Sequence, residues 1–107
     1  MKEEELTVWA LSYRAEDEED GTDEWGVDGV FLSKADAQKS LRSTLRDIVS
    51  QIRDGFDPES DEDYDPDMTD DEFASRYCET FETDDMSFDV SYSGYRRRYR
   101  IEEKSLS

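Results

Sequence analysis

Polar and apolar positions alternate with a period of two near the N-terminus, where Thr7, Trp9, Leu11 and Tyr13 interleave with Leu6, Val8, Ala10 and Ser12. Aromatic and β-branched types at that spacing predict a strand, because successive side chains of an extended chain point to opposite faces. Trp25 to Leu32 predicts a second strand. The period then changes: Ala37, Leu41, Leu45, Ile48 and Ile52 recur every three or four residues, and Val49 widens the stripe, which predicts a helix with one apolar face. Ser33, three residues before Asp36, is placed to cap its start. Gly55 is expected to end it by taking the left-handed conformation that glycine adopts freely. Thr69 and Glu72 have the spacing of a capping box, with Met68 placed to staple onto Phe73, so a second helix is expected to turn Phe73, Ala74, Tyr77, Cys78 and Phe81 inward. Phe88, Val90 and Tyr92 alternate, Ser93-Gly94 supplies a turn, and Tyr95, Tyr99 and Ile101 alternate again, which predicts a terminal hairpin. The order strand, strand, helix, helix, strand, strand predicts an α+β fold: a four-stranded, mainly antiparallel sheet with two helices on one face.

Two segments interrupt this pattern. Glu16 to Glu24 holds seven acids in nine positions, and Phe56 to Asp71 crowds acids around Pro58 and Pro66. Segments with so little to bury remain in water. Solvated acidic loops are therefore expected at about 16–24 and 57–71, within one domain that spans all 107 residues.

Composition sharpens the picture, because 31 acidic residues stand against 13 basic ones, a formal net charge of -18, with no histidine. Such an excess destabilises a compact state through self-repulsion. It argues against direct binding to DNA, RNA or an anionic membrane, each of which requires a basic footprint. No apolar run has the length of a signal peptide core or a span, and a cytoplasmic protein is expected. Cys78 is the only cysteine, which leaves no intrachain disulfide or cysteine-based zinc site and places it as a small core residue. Without histidine, and with no activated nucleophile beside a base, the chain is expected to be no enzyme and to need no cofactor.

Two constellations carry possible chemistry. Asp61, Asp63, Asp65, Asp67 and Glu72 fall at positions one, three, five, seven and twelve of a calcium-binding loop. The sixth position, normally a sharply turned glycine, is Pro66, whose ring holds φ near about -65°. The segment therefore reads as a solvated charge run with no metal ligands, and calcium binding stands as a minor alternative. Arg96, Arg97, Arg98 and Arg100 form the basic cluster. On a chain of this charge they are expected to pair with Asp89, Glu102 and neighbouring carboxylates across the sheet.

The candidate partner-binding surface consists of Glu16, Asp17, Glu18, Glu19, Asp20, Asp23 and Glu24 together with Asp57, Glu59, Asp61, Glu62, Asp63, Asp65 and Asp67. Tyr64 is its candidate aromatic anchor, with Trp25 and Phe56 nearby in sequence. Duplex DNA carries one charge per about 1.7 Å of axis, and spaced carboxylates on a folded scaffold can occupy the basic arrays that grip it. In size, charge and small α+β make-up the chain resembles the phage-encoded DNA-mimic inhibitors that block CRISPR effectors or restriction enzymes. That resemblance implies a non-enzymatic inhibitor, acting in a host bacterial cytoplasm, whose partner is the basic nucleic-acid groove of a defence complex. More locally, Gly29-Val30-Phe31, Ser33, Ala37 and Gly55-Phe56 look like a pattern common in small phage and bacterial domains. Two alternatives stand beside it: an acidic surface adapted to high salt, with only four lysines among thirteen basic residues, and an acidic adaptor for a basic protein. Concentration of the acids in two segments favours a dedicated surface.

Overall fold

The computed structural model describes residues 6–106. Strands β1 (Leu6–Asp17) and β2 (Thr22–Phe31) are followed by helix α1 (Lys34–Asp54), a short 3-10 turn at Pro58–Ser60 and helix α2 (Asp70–Tyr77). Strands β3 (Thr80–Thr83), β4 (Ser87–Tyr92) and β5 (Tyr95–Leu106) complete the chain. All pairings are antiparallel, and the strands lie in the order β2-β1-β5-β4-β3. The last strand in sequence is thus central, paired with β1 along its whole length.

One core forms on one face of this sheet. Leu11, Ile101, Phe88 and Val90 meet Ala37, Leu41, Ile48, Val49 and Ile52 of α1 and Phe73 and Ala74 of α2. α1 forms as its apolar stripe predicts, and the amide of Asp36 donates to Ser33 Oγ at 3.3 Å to start it. α2 starts at the expected cap, where the Glu72 amide donates to Thr69 Oγ1 at 3.2 Å, and Met68 joins Phe73 in the core. With only eight residues α2 leaves part of the β3–β4 hairpin uncovered, and an open groove of about 650 Å³ remains there, floored by Leu41, Leu45, Val49, Phe81 and Phe88. The turn between β4 and β5 has φ 50° at Ser93 and 84° at Gly94, the paired positive values that match the twist of a two-residue hairpin.

The sheet has five strands, where the sequence pattern predicts four. α2 stops at Tyr77, and Phe81, expected on its inner face, lies in β3 opposite Val90. Thr80, Phe81 and Thr83 are strand formers, and an apolar run this short fits helix or strand until a partner decides. Cys78 is the extended residue that ends α2, half-buried against the edge of the core instead of within it. Gly55 does end α1, yet with φ -87°, so the left-handed conformation is unused. Its amide donates to Gln51 O at 3.2 Å, and the chain then leaves the helix as Phe56 packs into an aromatic cluster.

The first acidic loop is also shorter than expected. β1 continues to Asp17 and β2 begins at Thr22, so only Glu18 to Gly21 form a turn. The reason is electrostatic: β5 sets Arg96 and Arg98 beside the end of β1, where Arg98 pairs with Glu16, and Arg14 pairs with Asp23 at 2.9 Å. Carboxylates neutralised across strands can stay in a ladder that their composition alone disfavours.

Candidate functional site

Both acidic segments lie at one end of the molecule. A chain of contacts links them: Tyr77 Oη donates to Asp61 Oδ2 at 2.8 Å, the Ser93 amide donates to Glu79 Oε1 at 3.1 Å, and the Glu18 amide donates to Gly94 O at 2.9 Å. Gly94 is required at that meeting point, because a Cβ there would stand 3.2 Å from Glu18 Cβ on a backbone of positive φ.

The second segment is ordered by its own carboxylates. Asp57 Oδ1 accepts from the Glu59 amide at 3.0 Å, Asp61 Oδ1 from the Asp63 amide at 2.9 Å and Asp65 Oδ1 from the Asp67 amide at 2.9 Å. These are successive Asx turns, each aspartate satisfying backbone two residues on. Arg53 in the last turn of α1 clamps the segment, with Nη1 2.9 Å from Asp70 Oδ1, Nη2 donating to Pro66 O at 3.0 Å and Nε to Tyr64 Oη at 3.2 Å. Sequence inspection missed this arginine. Its position on the rim of the α1 stripe, just before the acidic run, is the signal that marks it.

Several predicted site residues thereby have structural partners. Glu16 pairs with Arg14 and Arg98, Asp23 with Arg14, and Asp61 with Tyr77 and, at 3.8 Å, with Arg76. The hydrogen bond from Arg14 holds the Asp23 carboxyl below its usual range. The Asp63 amide, then the Tyr77 hydroxyl, do the same for Asp61. Tyr64 packs between Phe56 and Tyr77, at centroid distances of 5.2 and 6.0 Å, and so supports the loop from beneath. Trp25 adjoins the first segment, opposite Arg14 on the face of the sheet away from the core, and is 73% exposed.

Of the candidate surface, Asp17, Glu18, Glu19, Asp20, Glu24, Asp57, Glu59, Glu62, Asp63, Asp65 and Asp67 enter no ion pair among the described residues. All but Asp17 are exposed, and they form the outward-facing acidic set. The spacing shared with calcium loops does not produce convergence: Asp61 and Asp65 turn back onto their own backbone, and no three acidic, cysteine or histidine side chains among the described residues are arranged to hold a metal ion. No helix among them is long and apolar enough to cross a membrane.

The basic cluster is absorbed by the fold. Arg96 forks onto Asp89 at 3.0 and 2.7 Å, Arg98 pairs with Glu16 and Arg100 with Glu102. Arg97, on the core side, stacks over Tyr95 with 3.8 Å to the ring centroid.

No protein-family model, curated protein or solved structure matches this chain.

Proposed function

We propose that the chain is a non-enzymatic inhibitor that occupies the basic nucleic-acid groove of a larger protein, a CRISPR effector or another defence nuclease, in place of DNA or RNA. One observation carries this proposal: two acidic segments far apart in sequence are tied to one end through Tyr77, Glu79, Ser93 and Gly94, and Asx turns order the backbone that carries the unpaired carboxylates of the second. A carboxylate array held before contact loses little entropy on binding, which is what a competitor of a rigid polyanion requires. The charge distribution supports a dedicated surface over general adaptation to salt, because the sheet face opposite the core balances its charges internally and leaves the excess elsewhere.

Competition with labelled DNA for purified CRISPR and restriction proteins tests it. Displacement is expected to weaken at least about tenfold between about 0.05 M and about 0.5 M salt, as the Debye length shortens from roughly 14 to 4 Å. The triple change Glu18→Lys, Glu19→Lys, Asp20→Lys is expected to slow association by about tenfold with the fold intact. Displacement insensitive to both salt and the triple change sinks the electrostatic mechanism. A circular dichroism melt distinguishes the rival: a chain folded only near about 2 M salt carries its charge for the environment.

A further inference from the structure

The sheet has a second face, opposite the core. Cross-strand register places Trp25 beside Arg14, Val27 beside Ser12 and Val30 beside Ala10. Ala10 and Val8 are each only 6% exposed yet stand outside the core cluster, whereas Trp25, Val27, Val30 and Leu6 on this face are 73%, 59%, 61% and 52% exposed. Together they form an apolar patch of several hundred Å², the size at which exposed apolar surface on a soluble protein marks an interaction site.

The same face is electrically neutral. Arg14, Arg96, Arg98, Arg100 and Lys104 stand on it beside Glu16, Asp23, Glu82, Asp89 and Glu102, five cations against five acids by register. Most are joined in a lattice: Arg14–Asp23, Arg98–Glu16, Arg96–Asp89, and Arg100 and Lys104 on Glu102. Among the described residues, the acidic excess therefore lies off this face.

From this juxtaposition we infer that a second copy of the chain docks here, apolar patch on apolar patch, in a two-fold dimer packed sheet face to sheet face. Neutrality selects the occupant. At the acidic end two copies would repel, and the outer face of α1 exposes an excess of Lys34, Lys39, Arg42 and Arg46 over Asp36, Asp47 and Asp54, whereas a self-balanced face lets two copies meet without net repulsion and offers no net field to draw a basic or an acidic stranger. Face packing is preferred to edge pairing because β2, one edge strand, carries a register shift opposite Leu11 and Ser12 that sets Asp28 out of the ladder, and β3, the other, is only four residues long, both devices that blunt edges. The whole face, patch and ion-pair lattice together, is of dimer size: five strands of these lengths about 4.8 Å apart present on the order of 700 Å², close to the roughly 800 Å² per partner of a stable interface.

Analytical ultracentrifugation of the full chain, from micromolar to hundreds of micromolar, tests the dimer. A particle of twice the 12.5 kDa chain mass is expected, and association should strengthen as salt rises, since screening removes the long-range repulsion between copies. That trend is opposite to the target binding proposed above, so failure of one is distinguishable from failure of the other. Val30→Lys is expected to weaken association at least tenfold, and Glu19→Lys, at the acidic end, is not. In a Trp9→Phe background, Trp25 emission should shift to the blue as concentration rises, a readout that leaves the patch intact. A chain that stays monomeric at every concentration and salt overturns the inference and assigns the patch to a different partner. A dimer that is indifferent to Val30→Lys and leaves Trp25 emission unchanged also overturns it.

Discussion

Arg53 and Cys78 show how neighbours set the behaviour of single residues. Arg53 stands half-buried at the margin of the α1 stripe, where its hydrogen bonds to Tyr64 and Asp70 raise its already high pKa and fix where the acidic segment leaves the helix. Cys78 owes its chemistry to burial first and to the charge of Glu79 second, which together push the thiol up from 9.0 to about 11. Near neutral pH that leaves roughly a hundredfold less thiolate than an ordinary thiol supplies. Alkylation by iodoacetamide in the native chain is expected to run about a hundredfold slower than in urea, and equal rates in the two conditions would refute the burial argument.

The least self-sufficient element is α2. Eight residues are too few for an isolated helix, so its cap and its packing decide whether it forms. Thr69→Ala removes the acceptor for the Glu72 amide and is expected to cost about 1 kcal/mol in urea denaturation. Thr69→Ser should recover most of it, and an unchanged midpoint for the alanine variant would show that packing alone starts the helix. At the other end of α2 the chain turns at Cys78 straight into β3, whose identity as a strand depends on β4 beside it.

For the whole molecule the ruling quantity is the charge, and its pH dependence has two limbs. Protonating an acidic surface relieves repulsion, so the melting temperature should rise modestly as pH falls from 7 toward about 5. The second limb has the opposite sign. Asp23, Asp61, Asp84 and Glu102 have folded-state pKa values below their usual 3.8 or 4.5, so each contributes stability above that value and loses it as pH falls through the lower one. The causes are hydrogen bonds, from Arg14 for Asp23, the Asp63 amide for Asp61, the Met86 amide for Asp84 and Arg100 for Glu102. Melts across pH are therefore expected to peak on the mildly acidic side and fall steeply below the usual carboxylate range. A melting temperature that keeps rising into that range would mean these four groups contribute nothing.

Features that depend on near neighbours were legible in the chain itself. The α1 stripe, the caps at Ser33 and Thr69, the Ser93-Gly94 turn and the disposition of the arginines on β5 all follow from spacing, because a helix face, a cap and a tight hairpin are closed within a few residues. Other features required partners distant in sequence. Arg98 and Glu16 are 82 residues apart, and only the insertion of β5 between β1 and β4 turned a predicted acidic loop into strand. The same long-range pairing drew Phe81 out of a helix and into β3, and brought Glu18 to Gly94 so that the two acidic segments share one end. It also decided which residues share a face: the sequence pattern placed Trp25, Val27 and Val30 in one strand, but only the register shift at Asp28 put Val30 on the face of the other two, and only the helices' choice of the other side left them exposed. Composition determined how much charge the chain must carry, whereas tertiary pairing determined which carboxylates are neutralised and which face the solvent, because Coulomb interactions depend on distance in space and not along the chain.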